Sequence, residues 1–262
     1  MPTTAIIVAA GSGSRLGGPL PKQFLDLGGI PLLVRTVRAF DRSGVVDRIL
    51  VAVPPEHVEH AMRHIVEPFT WSLRPELVVG GAERRDSVRR CLDLVPTGES
   101  ELVLVHDGAR PLVSTELLRL VADKVREVGA AVAAIPEKNT LKRVDDTGKV
   151  LETLDRRDLW EAQTPQGFRA DWLRQAHEVP RPAADAVTDD AMLVEQLGYE
   201  VWIVPGDERN LKITTEFDLE VARWLVASGP ARAQHEGSRT GVPVGSDPAP
   251  AAGSAHLEDR SC

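Results

Sequence analysis

The chain has 262 residues, 42% hydrophobic and 27% charged, enough to bury one large α/β core or two small ones. Its formal net charge of −8 argues against a broad nucleic-acid footprint, while leaving room for a local cationic pocket. Two cysteines, Cys91 and Cys262, give neither a disulfide framework nor a metal-ligand cluster, and no apolar run is long enough to span a membrane, so neither nucleic acid nor membrane is expected as a partner.

Residues 5–10, Ala-Ile-Ile-Val-Ala-Ala, read as a buried parallel strand. With no basic region before it, this run is too short for a signal-peptide core, and the expected compartment is the cytoplasm. The run breaks into Gly11-Ser12-Gly13-Ser14-Arg15-Leu16 and is closed by Pro21-Lys22-Gln23. Such a turn exposes backbone N–H groups at close range, clustered amides make an anion site, and Arg15 and Lys22 add charge beside it. The chemistry suggested is the handling of a polyphosphate. A Walker A loop would need Gly-Lys-Ser/Thr, and a dinucleotide fingerprint would need a third glycine where Leu16 stands. Taken alone, the loop also fits a tight strand-to-helix connection with two solvated cations.

Leu33, Val37 and Phe40 mark a helix, residues 49–53 a second strand stopped by Pro54-Pro55, and Val58, Met62 and Ile65 a second helix. A short strand at 76–79 runs into Gly80-Gly81, followed by a helix facing inward through Val88, Cys91, Leu92 and Val95. Residues 102–105 form a fourth strand ending at His106-Asp107-Gly108-Ala109-Arg110-Pro111. Ser114 or Thr115 can cap a helix carrying Leu117, Leu118, Val121 and Val125 inward, and 130–135 is the next strand. This alternation predicts a Rossmann-like α/β fold, a mostly parallel sheet with helices on both faces.

Residues 140–144 and 149–154 flank Asp145-Asp146-Thr147-Gly148, a hairpin signal within an arm at 136–158. An isolated two-stranded ribbon is marginal in water, so the arm is expected to lie on another surface, such as a second subunit. After Trp160-Glu161-Ala162-Gln163-Thr164-Pro165-Gln166 come a helix near 171–177, a helix start at Thr188-Asp189-Asp190-Ala191 and a last strand at 201–204. Thr214 or Thr215 can cap a final helix with Phe217, Val221 and Leu225 inward. The folded domain is expected at 1–228, and 229–262, without aromatic residues and rich in Ala, Gly, Pro and Ser, reads as a disordered tail.

Ligands of open α/β sheets collect at the carboxyl ends of the strands, where this reading puts residues 11–15, 80–87 and 107–110 and the segment through Lys212. Asp107 is placed to hold Mg²⁺ with phosphate oxygens, or serves as a turn residue before Gly108. His106 reads as structural. The Gly80–Ser87 stretch can bring backbone to a flat base with Ser87 donating a hydrogen bond, or is a charged strand-to-helix turn. Lys142, Arg143, Arg156 and Arg157 also fit a solvated face, and Thr164 and Thr188 fit cap or turn roles.

Taken together and in order, Ala9-Ala10-Gly11-x-Gly13-x-Arg15, Pro21-Lys22-Gln23, Gly80-Gly81-x-Glu83-Arg84-x-Asp86-Ser87, His106-Asp107-Gly108-Ala109-Arg110-Pro111, Thr164-Pro165-Gln166 and Thr188-Asp189-Asp190-Ala191 resemble the 2-C-methyl-D-erythritol 4-phosphate cytidylyltransferases of the non-mevalonate isoprenoid pathway. The resemblance runs from about Thr4 to Val226; Gly108 stands where that family often has Ala, and Asn210-Leu211-Lys212 for its usual Asn-Ile-Lys. Some relatives continue into a fused cyclodiphosphate synthase domain, for which the tail here is too short and too polar.

The resemblance implies transfer of CMP from CTP to methylerythritol phosphate with release of pyrophosphate. It implies that Arg15, Lys22 and Lys212 are catalytic cations and that Asp107 holds Mg²⁺. The nucleotide would lie on Ala9, Ala10, Gly11, Ser12, Gly13, Gly81, Ser87 and Asp107. Arg110, Thr164 and Thr188 match acceptor-side positions, and Thr140 and Arg156 match residues that reach a neighbour's acceptor phosphate from a dimerising arm. The rival readings are a ribitol 5-phosphate cytidylyltransferase, a nicotinamide dehydrogenase and a non-enzymatic nucleotide-binding regulator.

Overall fold

Strand and helix alternate through β1 (Thr3–Val8), α1 (Leu32–Asp41), β2 (Arg48–Val53), α2 (Val58–Ala61), β3 (Glu76–Val79), α3 (Arg84–Leu92), β4 (Leu102–Asp107), α4 (Thr115–Val128) and β5 (Ala130–Pro136). There follow a hairpin of β6 (Lys142–Val144) and β7 (Val150–Thr153), then β8 (Trp160–Arg169), α5 (Ala170–Glu178), α6 (Asp190–Glu195), β9 (Trp202–Pro205) and α7 (Glu216–Ala227). This computed structural model describes residues 1–11, 21–97, 101–179 and 188–228. The segment read as a disordered tail, 229–262, lies outside the described residues.

The main sheet has seven strands in the order β3-β2-β1-β4-β8-β5-β9. Only β8 runs against its neighbours, so the sheet is mostly parallel as expected. Side chains alternate across it with period two. Ala5, Ile7, Leu102 and Leu104 pack with α1 and α4 on one face, and Ile6, Val103 and Val105 with α3 and α5 on the other. Helix ends follow local chemistry. Ser114 accepts from the Leu117 N–H at 3.1 Å to start α4, and Gly129, at φ +93°, stops it. No described helix is long and apolar enough to cross a membrane.

Two expectations need correction. The stretch 160–169, given no element from sequence, is a ten-residue strand inside the sheet, between β4 and β5. Pro165 interrupts its ladder: Val132 of β5 faces Gln166, but Ala134 faces Ala162, so a bulge carries Gln163 and Thr164. In α7, capped by Thr215, the inward residues are Leu219 and Ala222, packed with Leu27, Leu32 and Ile213. Phe217 is 72% exposed, and Val221 and Leu225 are only half-buried.

Candidate functional site

From β1 the chain moves to β2 on one side and later places β4 on the other, a topological switch point. The carboxyl ends of β1 and β4 meet there: Val8 faces Asp107, and the Gly108 N–H donates to the Val8 carbonyl at 2.8 Å. A cleft of about 290 Å³ opens at this point, lined by Ala9, Ala10, Gly11, Lys22, Gly81, Ser87, Asp107 and Lys212 among others. Gln23, almost fully buried, also lines it and donates to the carbonyls of Ala9 at 2.5 Å and Gly11 at 3.3 Å. Lys22 donates to the Ile213 carbonyl at 2.7 Å.

The opposite wall is the loop into α3. A Cβ on Gly80 would come 2.4 Å from that of Ala10, and one on Gly81 would come 2.1 Å from that of Asp86, so only glycine lets this loop close on the floor. Glu83 and Asp86 form a capping box. The Ser87 hydroxyl accepts from the Gly81 N–H at 3.0 Å and donates to the Glu83 carbonyl at 3.1 Å. The hydroxyl thus ties the loop to the first turn of α3 at the wall of the cleft.

Asp107 is the electrostatic centre. Arg84 Nε stands 3.3 Å from Oδ1; Lys212 Nζ stands 3.0 Å and Arg110 Nε 3.5 Å from Oδ2. Burial alone would raise its pKa, but Arg84, Lys212 and Arg110 outweigh burial and hold the carboxyl well below the usual carboxylate range. Burial lowers the Arg110 pKa, with Asp107 opposing.

A second cavity of about 200 Å³ shares Arg84, Asp107 and Lys212 with the first and adds Arg110, Thr164, Thr188 and Asp189. Arg110 is buried and donates through Nη1 to the Asn210 carbonyl at 2.7 Å. Asn210 is itself held by bonds to Gln163 and to the Thr164 carbonyl. His106 is fully buried, with Nε2 3.1 Å from the Arg110 carbonyl. Since a carbonyl only accepts, Nε2 carries the proton and Nδ1 accepts from Thr164 at 3.0 Å. Burial pushes the His106 pKa down to about 4, so the ring is neutral near pH 7, in keeping with a structural role.

The structure thus brings Lys22, Lys212, Asp107, Ala9, Ala10, Gly11, Gly81 and Ser87 to one cleft, and Arg110, Thr164 and Thr188 to the cavity beside it. Ser12, Gly13 and Arg15 lie outside the described residues. Thr140 and Arg156 are exposed at the base of the arm and line neither cavity; Arg156 donates to the Lys138 carbonyl. Sequence reasoning gave no role to Gln23, Arg84 or Asn210, though all three stand inside quoted motifs. The partners of Arg84 and Asn210 come from distant segments, which a motif does not reveal.

Comparison with known proteins gives a consistent result. Residues 3–228 match the family model IspD, 2-C-methyl-D-erythritol 4-phosphate cytidylyltransferase. The chain is 44% identical over 228 residues to the 2-C-methyl-D-erythritol 4-phosphate cytidylyltransferase of Geobacter metallireducens, covering 86% of this chain and 98% of that protein. Among solved structures it is similar to the 4-diphosphocytidyl-2C-methyl-D-erythritol synthase of Anaerococcus prevotii (TM-score 0.75, 31% identity, 86% and 96% of the two chains). It is also similar to the 2-C-methyl-D-erythritol 4-phosphate cytidylyltransferase of Thermus thermophilus (TM-score 0.68, 35% identity, 85% and 98%).

Proposed function

The chain belongs to the 2-C-methyl-D-erythritol 4-phosphate cytidylyltransferase family, and we propose that its two cavities hold the two substrates of that reaction. The enzyme transfers CMP from CTP to 2-C-methyl-D-erythritol 4-phosphate and releases pyrophosphate. CTP lies in the cleft over Ala9–Gly11 and Gly81, and the acceptor lies beside Arg110, Thr164 and Thr188. The observation that supports this reading is the wall the cavities share. Arg84, Asp107 and Lys212 border both, so a group passing from one substrate to the other meets the same charges throughout.

The acceptor phosphate is already an anionic nucleophile, so no general base is required, and a neutral His106 tied to Thr164 offers none. The difficulty is bringing one anion to another. Lys22, Lys212 and Arg110, with Arg15 as expected from sequence, neutralise the α-phosphate, the attacking phosphate and the departing pyrophosphate. A divalent cation fits the donor set. Asp107 is an ionised, hard oxygen ligand bordering the cleft; Arg84 stands on its Oδ1 and Arg110 and Lys212 on its Oδ2, and Lys212, with a side chain 42% exposed, is the cation able to yield. Mg²⁺ commonly takes one or two carboxylates with substrate phosphates and water; held by Asp107, it would supply charge neutralisation to the triphosphate.

The β6–β7 arm exposes Val144, Val150 and Leu151, apolar side chains that suit burial against a second copy of the chain. In that dimer Thr140 and Arg156 reach the neighbour's acceptor phosphate. The free, buried thiol of Cys91 suits the reducing cytoplasm. The test is pyrophosphate release with Mg²⁺ and CTP, offering methylerythritol 4-phosphate or ribitol 5-phosphate. Release with the first alone supports the reading. Release with ribitol phosphate alone overturns the acceptor, and release with neither overturns the enzyme.

A further inference from the structure

Arg84 is the first residue of α3, where the helix dipole disfavours a cation. Its compensating carboxylates come from two other elements. Nε meets Asp107 Oδ1 at 3.3 Å at the end of β4, and Nη1 meets Asp190 Oδ2 at 2.6 Å at the start of α6. Asp190 is 1% exposed, and its other oxygen accepts from His177 Nε2 at 3.1 Å. Burial opposes both charges. The two carboxylates outweigh it for Arg84 and raise its pKa, and Arg84 with His177 keeps Asp190 ionised below its ordinary range.

The residues before α6 form a wall of the acceptor cavity, through Thr188 and Asp189. Besides His177, two side chains fix that segment, Gln166 and Arg84. Gln166 accepts from the N–H groups of Asp190 and Ala191 at 3.2 and 3.3 Å and donates to Asp189 at 2.8 Å. Gln166 belongs to β8 and its side chain bonds to residues 189–191, whereas Arg84 grips Asp190 and Asp107 together. One planar guanidinium thus spans the site, and a Lys ammonium lacks the fork needed to hold both carboxylates in fixed geometry.

The geometry points to Arg84 as the positioning residue that couples the two cavities: its pair with Asp190 sets the acceptor wall while its pair with Asp107 holds the carboxylate facing the nucleotide. The inference rests on the reading of the second cavity as the acceptor site. It makes acceptor affinity depend on an ion pair formed by the nucleotide-side loop.

The experiment compares wild type, Asp190→Asn, Arg84→Lys and the double variant. It measures KM for methylerythritol phosphate, kcat, and CTP binding without acceptor, with circular dichroism to confirm folding. Asp190→Asn keeps the shape and the oxygen facing His177 but removes the charge that draws Arg84. The acceptor KM should rise about tenfold, with CTP binding within about twofold of wild type. Arg84→Lys should raise the acceptor KM at least as much, and the double variant should be no worse than the worse single one, because both remove the same pair. Effects that multiply, or an acceptor KM unmoved in both folded single variants, overturn the coupling. If Asp190→Asn does not fold, Arg84→Lys alone carries the test through its KM. Wild-type failure to turn over methylerythritol phosphate overturns the functional reading instead, so the two failures are distinct.

Discussion

Thr164 donates its hydroxyl to Nδ1 of His106 and accepts the backbone N–H of Asp107, both at 3.0 Å. A side chain on the β8 bulge therefore fixes the ring before the central carboxylate and the backbone of that carboxylate. Thr164→Val keeps the shape but leaves a buried N–H and a buried ring nitrogen unpaired, a loss of about 2–3 kcal/mol. Thr164→Ser keeps the hydroxyl and should lose less than half as much. Urea denaturation reads both; a midpoint unchanged in Thr164→Val would remove the proposed link.

His106 makes stability depend on pH. Its folded pKa of about 4 lies below the ordinary value of 6.5, so between these values the unfolded chain binds a proton that the folded chain refuses. Stability from this group is complete above pH 6.5 and declines as pH falls, by about 2 kcal/mol at pH 5. Asp107, depressed by Arg84, Lys212 and Arg110 against its burial, loses its contribution only as pH falls below 3.8. Unfolding free energies at pH 7.5 and 5.0 should differ less in His106→Gln than in wild type, and equal slopes would exonerate the ring.

Lys212 combines contact with Asp107 and access to both cavities, while its side chain is 42% exposed. Lys212→Gln should lower kcat about 100-fold, the scale of one preorganised electrostatic contact. The melting temperature should stay within about 2 °C of wild type, since little packing is lost. A normal kcat in the variant would take Lys212 out of the charge scheme.

The arm should act through association. Val150 and Leu151 are 52% and 57% exposed, so Val150→Glu with Leu151→Lys disturbs nothing inside one chain. Sedimentation should show wild type at twice the chain mass and the variant at the chain mass, with a raised acceptor KM and retained CTP binding. A monomeric wild type would refute the dimer, and a variant still dimeric would move the interface elsewhere.

Legibility from sequence followed chemistry. β1, β2, β4 and β5 are apolar runs between turn residues, and they were readable because both faces of their sheet are buried. β8 was not, because Gln163, Thr164 and Gln166 are polar and Pro165 breaks the ladder. Those side chains are buried because Asn210, His106 and Asp189 satisfy them, partners that only the fold supplies. In α7 the sequence reading turned Phe217, Val221 and Leu225 inward, whereas Leu219 and Ala222 are the residues that pack against Leu27, Leu32 and Ile213. Lys22, Asp107 and Lys212 were legible as charges near strand ends, yet the double grip of Arg84 was not. Its carboxylates lie in segments whose meeting depends on the order of strands in the sheet.

Because β8 runs back between β4 and β5, the excursion that leaves after Pro136 returns at Trp160, its partner in the ladder. No crossover is needed, so the sheet sets no length for what lies between. The 137–159 segment leaves and re-enters the main sheet at one point, on the edge that carries Asp107. A change in its length should therefore leave every main-sheet strand in register. Whatever that segment carries stands beside the strand ends that hold Asp107 by topology alone.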